Sequence, residues 1–102
     1  MTEQTSITLE SRPIGPPTLE NFGIAKSSLS EIQDGEVLLK TIYLSLDPYM
    51  RGRMNADKSY AAPVPLGGIL EGECVAEIIN TKNSNYSVGE IVAARIGWVT
   101  HA

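Results

Sequence analysis

A chain of 102 residues, 42% hydrophobic and 20% charged, is long enough for one domain with a modest core and too short for two. Eight Lys and Arg against twelve Asp and Glu leave a net charge of −4, without the basic face expected of a nucleic-acid binder. One cysteine excludes an internal disulfide and a cysteine-based metal cluster. No apolar run approaches the about 18 residues of a membrane span, and Met-Thr-Glu-Gln-Thr-Ser at the start lacks the basic-then-apolar layout of a signal peptide. The expectation is a cytoplasmic protein with neither nucleic acid nor membrane as partner. Nine glycines and six prolines favour strands and turns over long helices.

In chain order, residues 1–5 read as a polar, frayed terminus, and 6–10 alternate weakly, as an edge strand would. Arg12-Pro13-Ile14-Gly15-Pro16-Pro17 must be an extended loop. Residues 19–25 are expected to be an irregular strand with Leu19, Phe22 and Ile24 inward, followed by a turn-rich link over 27–34. Asp34-Gly35 signals a turn directly before a strand. Residues 37–46 make the strongest strand, apolar on both parities and so predicted buried on both faces. Residues 55–65 are polar and bounded by prolines, a surface loop that shapes a binding site or merely connects. A second long strand is predicted over 67–79. Leu70, Gly72, Cys74, Ala76 and Ile78 share one small apolar face, with glutamates 71, 73 and 77 on the other. Its glycines suggest a bulge or a close backbone approach. A polar loop over 80–87 and a turn at Val88-Gly89-Glu90 lead to a third strand over 91–96. The chain then ends in Gly97-Trp98-Val99-Thr100-His101-Ala102, which carries its single Trp and single His. An ending inside an apolar-aromatic stretch reads as a truncation.

The stretch 42–54, Ile-Tyr-Leu-Ser-Leu-Asp-Pro-Tyr-Met-Arg-Gly-Arg-Met, organises the rest. An apolar strand breaks at Asp47-Pro48, where Asp suits an N-cap and Pro the first helical position. One short helical turn then presents Tyr49, Arg51 and Arg53 at the strand end. A phenol beside fixed cations suits gripping a carbonyl or an anion, and equally suits closing a core.

Other chemistries find little support. Gly67-Gly68 with Gly72 has the wrong spacing for a dinucleotide fingerprint, and no Walker lysine motif exists. Cys74 and His101 cannot supply the three or four ligands of a metal site. A triad of Ser45, His101 and Asp47 can be written on paper but no motif carries it. Cys74, on an apolar face, reads as a buried inert thiol.

Residues 43–54, above all Asp47-Pro48-Tyr49-Met50-Arg51, resemble the N-terminal domain of zinc-independent medium-chain dehydrogenases/reductases. The resemblance is to the subgroup of prostaglandin reductase, alkenal double-bond reductase and bacterial NADPH-dependent curcumin reductase. Arg12-Pro13 with Gly15-Pro16, Tyr60 and Pro63, Leu66-Gly67-Gly68, Val88-Gly89-Glu90, and Gly97-Trp98 with Thr100 follow that subgroup in order and spacing. The resemblance implies a mainly β, GroES-like distorted antiparallel β-barrel with short helical turns, truncated. Residues 1–102 would be the N-terminal catalytic-domain fragment, without the C-terminal Rossmann domain that holds NADP(H).

In the zinc-dependent branch of that family a cysteine and a His-Glu pair bind metal. Leu44, Gly68 and Ile69 stand at those positions here, so no zinc is expected. The implied chemistry is hydride transfer from NADPH to the β-carbon of an α,β-unsaturated ketone or aldehyde, whose developing enolate needs hydrogen-bond donors. Tyr49 is the substrate-facing residue carried over, with Pro48 and Met50 as pocket neighbours. Arg51 is expected to pack locally. The catalytic acid and the cofactor-binding residues would lie outside this chain, which alone would be inactive and bind no cofactor. The full-length protein is expected to be a homodimer acting on a small enone or enal. The competing expectation is a stand-alone β-barrel binding or interaction module that oligomerises through an open strand edge.

Overall fold

In a computed structural model that describes residues 2–56 and 63–102, backbone pairing ties strands from both ends of the sequence together. The described residues form strands β1 (Glu3–Leu9), β2 (Phe22–Ser28), β3 (Val37–Leu44), β4 (Cys74–Thr81) and β5 (Ile91–Ala94). A 3-10 turn spans Leu19–Asn21, and one short helix, α1, spans Tyr49–Gly52. β1 and β2 pair antiparallel, with Leu9 opposite Phe22 and Glu3 opposite Ser28. β3, β4 and β5 form a second antiparallel group in that order.

Residues 97–102 join the two groups. On one side Ile7 N–H donates to Trp98 O (2.9 Å) and Thr100 N–H to Thr5 O (2.9 Å). On the other, Thr41 N–H donates to Thr100 O (2.8 Å) and Leu39 N–H to Ala102 O (2.7 Å). The apolar groups of this stretch are used, not bare. Val99 is buried, and the Trp98 ring stacks on Phe22 at 6.0 Å.

Several expectations change on this frame. Residues 3–5 are not frayed; they pair with Lys26, Ser27 and Ser28. β1 is an interior strand, because 97–100 and 67–70 line its second side, with Leu9 N–H donating to Gly68 O (3.0 Å) and Leu70 N–H to Ile7 O (3.1 Å). Leu19 and Ile24 point outward, 90% and 73% exposed. At the 3-10 turn Asn21 is the inward residue. Its Oδ1 accepts from Thr18 N–H (2.8 Å) and its Nδ2 donates to Ser11 Oγ (3.0 Å), which forces Leu19 out. Ile24 shares the face of Phe22 and lies opposite Ile7, but is not part of the cluster that those two residues pack against.

β3 is not buried on both faces. Leu39 is buried, whereas Ile42, Tyr43 and Leu46 are exposed. Register shifts after Leu38 and Thr41 break its alternation, and the strand ends at Leu44. The long strand predicted over 67–79 is two pieces. Gly67 turns the chain with φ +80°, the next residues lie along β1, and β4 proper starts at Cys74 and runs on to Thr81. Its expected parity holds throughout: Leu70, Gly72, Cys74, Ala76 and Ile78 are all buried. β5 is shorter than predicted, four residues in place of 91–96.

Two buried clusters result. Leu9, Met54, Val64 and Leu70 form one, against Ile7, Phe22 and Trp98. Leu39, Cys74, Ala76 and Ile78 form the other, against Val37, Val92, Ala94 and Ile96. Val64 belongs to the loop expected at the surface over 55–65 but is 2% exposed. Residues 57–62 of that loop, Tyr60 among them, lie outside the described residues. No helix among the described residues is long and apolar enough to cross a membrane.

Candidate active-site wall

The Asp47-Pro48 break works, but one residue out of register with the capping expected for it. Pro48 is the N-cap, already helical at φ −57° and ψ −33°, and its side chain makes no cap bond. The Asp47 carboxylate accepts instead from Ser45 Oγ at 3.1 and 3.0 Å, while its backbone O accepts from Met50 N–H (3.1 Å). The proline's fixed φ starts the turn, and the serine has taken the carboxylate that would have capped it.

Two arginines lock that turn to the 12–17 loop. Arg51 donates through Nε to Gly15 O (3.0 Å), through Nη2 to Pro13 O (2.9 Å) and through Nη1 to Asn55 Oδ1 (2.6 Å). Arg12 Nη1 reaches back to Met54 O (2.9 Å) and Val64 O (3.1 Å). Arg51 therefore packs locally, as expected, with its donors committed to main-chain carbonyls and an amide. Arg53 pairs with Glu71 at 2.7 Å from a largely buried position.

Of the three residues singled out at this turn, Met50 on α1 turns inward and is buried, Tyr49 on α1 is half-buried, and Pro48 at its N-cap is exposed. Met50 lies under Gly72, where a Cβ would meet its Cε at 2.9 Å, Trp98 Nε1 at 3.2 Å and Leu44 Cδ1 at 3.4 Å. The missing side chain at Gly72 is thus what lets α1 seat on the strand, the close approach that its glycines suggested. Tyr49, Met50, Arg53, Val64, Leu70, Glu71 and Trp98 then line one narrow cleft of about 10 Å³, room for no more than a water. Trp98 fixes its far side by donating from Nε1 to Glu71 O (3.1 Å).

No local pattern announces the group that closes on Tyr49 itself. Arg95 lies over the Tyr49 ring, 5.7 Å from its centroid, and its Nη2 donates to Tyr49 Oη at 3.3 Å. Arg95 Nη1 also pairs with Glu73 Oε1 at 3.3 Å. Cys74 stands opposite Ala94 in the β4–β5 ladder, so Glu73 and Arg95 flank the next rung. That register was the one signal available, and it is legible only once the hairpin is known. Ser45, Asp47 and His101 do not assemble: the His101 ring meets Thr100 Oγ1 at 2.9 Å, and its backbone lies opposite Lys40, away from Ser45 along β3. Cys74 is a buried free thiol. Among the described residues no three His, Cys, Asp or Glu side chains gather as a metal site would require.

The strand, glycine turn and helix that hold a dinucleotide are not found among the described residues. A pyrophosphate is held by the amides of a glycine turn opening a helix between parallel strands. Here the named strand pairs are antiparallel, and α1 is four residues long and opens on a proline.

Residues 5–102 match a family described as the N-terminal domain of oxidoreductase. The chain belongs to that family. Its relatives include the NADPH-dependent curcumin reductase of Escherichia coli (strain K12), 43% identical over 90 residues, which are 88% of this chain and 26% of that protein. Prostaglandin reductase 1 of Bos taurus is 38% identical over all 102 residues, 29% of its own length. The crystal structure of CurA from Vibrio vulnificus superposes with a TM-score of 0.92 at 43% identity, covering 97% of this chain and 29% of that one. CurA of the same organism in complex with NADPH gives 0.87 at 42% identity, covering 96% and 30%. The chain is thus an oxidoreductase N-terminal domain of the zinc-independent medium-chain dehydrogenase/reductase type, mainly β and GroES-like. It spans under a third of the length of the relatives it matches.

Proposed function

We propose that this chain forms the substrate-side wall of an NADP-dependent oxidoreductase that reduces the C=C bond of α,β-unsaturated ketones and aldehydes, and that it is inactive alone. The observation that carries the reading is Tyr49, a half-buried phenol on the helical turn just after β3, seated beside the buried Met50. A fixed O–H donor holds the carbonyl oxygen of the bound enone, and the same donor stabilises the negative charge that reduction at the β-carbon moves onto that oxygen. Tyr49 supplies that donor. Pro48 borders the substrate from the solvent side, and Met50 supports it from below through an adaptable thioether. The hydride comes from NADPH, which is held by the part of the longer protein beyond this wall. Leu44, Gly68 and Ile69 offer no donor atom to a metal, so the proposed reaction is zinc-independent. The full-length protein is proposed to be a cytoplasmic homodimer.

The direct test is a fluorescence titration with NADPH of the 102-residue chain, beside a polypeptide extended to the length of its relatives. The expected result is no binding to the short chain, with binding and enone reduction by the long one. Tight binding to the short chain would overturn the division of labour. In the extended enzyme, Tyr49→Phe is expected to raise the KM for an enone roughly fivefold, the size of one hydrogen bond of about 1 kcal/mol. The affinity for NADPH should stay unchanged. A weakened NADPH affinity with an unaltered enone KM would remove Tyr49 from the substrate site.

A further inference from the structure

We propose that Arg95 is the positioning residue for the Tyr49 phenol, an inference that rests on Tyr49 being the substrate-facing donor. A guanidinium carries five N–H donors and no acceptor. In its 3.3 Å contact with Arg95 Nη2, the Tyr49 oxygen can therefore only accept. The phenol proton is left without a claim from that side and turns to another acceptor. The same guanidinium covers the ring face at 5.7 Å from the centroid, so one group restrains both the ring and the orientation of its O–H.

Arg95 is itself held. Its second terminal nitrogen pairs with Glu73 Oε1 at 3.3 Å. Glu73 sits where the backbone is pinned to the residue just after β3, its O accepting from Ser45 N–H at 2.9 Å. Both side chains are half-exposed or more, at 52% and 61%, and an exposed pair of this kind contributes little to stability. Its use is geometric. A planar fork can hold Glu73 with one nitrogen and Tyr49 with the other, which a lysine ammonium on a flexible stem does poorly. Arg95 also lines an adjoining crevice with Gly72 and Gly97, which shares Leu70 and Glu71 with the crevice beside Tyr49. A substrate oxygen that approaches Tyr49 from the side away from Arg95 meets a phenol proton already turned toward it.

The experiment uses the 102-residue chain labelled with carbon-13 at tyrosine Cζ, with the Tyr49 resonance assigned through Tyr49→Phe. Arg95→Met should displace the Tyr49 resonance and leave that of Tyr86 in place. Arg95→Lys should restore part of the shift, and Glu73→Gln should reproduce it more weakly. A Tyr49 resonance that moves no more than that of Tyr86 overturns the role of Arg95. In the extended enzyme, Arg95→Met should raise the enone KM roughly fivefold in the native background, with NADPH affinity unchanged. In the Tyr49→Phe background the same change should have less than a twofold effect, since the two residues act through one contact. Equal effects in both backgrounds would mean that Arg95 touches substrate directly, and the positioning role would fall. The spectroscopic arm reads the contact whatever the enzyme does. A kinetically silent Tyr49→Phe with a displaced resonance therefore sinks the substrate reading of Tyr49, and Arg95 as its positioner with it. An unmoved resonance sinks Arg95 alone.

Discussion

Gly97→Ala is expected to destabilise the domain by about 2–4 kcal/mol, the sum of a left-handed backbone penalty and an overpacking penalty. Gly97 has φ +87°, where an L side chain is strained, and an added Cβ would lie 2.8 Å from Leu70 O. Neither cost relaxes easily, because that oxygen is main chain and already accepts from Trp98 N–H at 2.9 Å. Moving it breaks the bond that starts the joining segment 97–102. Gly72→Ala is the control, expected to cost about 1–2 kcal/mol. A Cβ there meets the tips of Met50, Trp98 and Leu44, and a methionine methyl can swing aside. Urea unfolding followed by the fluorescence of the single tryptophan measures both, and Trp98 sits at the affected joint. The expected order is a clearly lower midpoint for Gly97→Ala. Equal midpoints would mean that the joint yields at little cost.

How much of this could be read beforehand follows from the range of the interactions. The face made by Leu70, Gly72, Cys74, Ala76 and Ile78 was legible because one strand-like path carries it with a period of two. The break at Asp47-Pro48 was legible because proline fixes φ locally. Placement failed where a second segment decided the outcome. Leu19 looks inward until Asn21 is seen bonded to Thr18 and Ser11. Ile42 and Tyr43 look buried because nothing in their own sequence says which face of β3 is covered. The role of 97–102 depends on Thr5 and Ile7 on one side and Leu39 and Thr41 on the other, partners 59 to 95 residues away. Within the proposed site, Tyr49 was singled out through its motif. Arg95 was not, because it lies 46 residues further on and is delivered by the register of a hairpin. Family resemblance identified the fold and the zinc-independent type. It did not indicate which charges meet the phenol.

Leu9→Ala and Ile78→Ala should cost about the same in stability and differ in what they do at Tyr49. Both side chains are fully buried, and truncating a buried aliphatic side chain to alanine costs roughly 2–5 kcal/mol when the cavity only partly collapses. A domain of this size holds about 5–15 kcal/mol in total, so each variant should remain mostly folded in the cold with a much lower melting temperature. The clusters they belong to are different. Leu9 packs with Met54, Val64 and Leu70, and the last two also border the Tyr49 crevice. Ile78 packs with Leu39, Cys74 and Ala76, which do not border it. A void at Leu9 loosens the floor on which the phenol stands, and a void at Ile78 leaves it firm. Leu9→Ala should therefore displace the Tyr49 Cζ resonance and raise the enone KM of the extended enzyme several-fold, whereas Ile78→Ala should do neither at a temperature where both are folded. Identical behaviour of the two at Tyr49 would mean that the clusters act as one core, and that the geometry of the phenol follows global stability in place of its local floor.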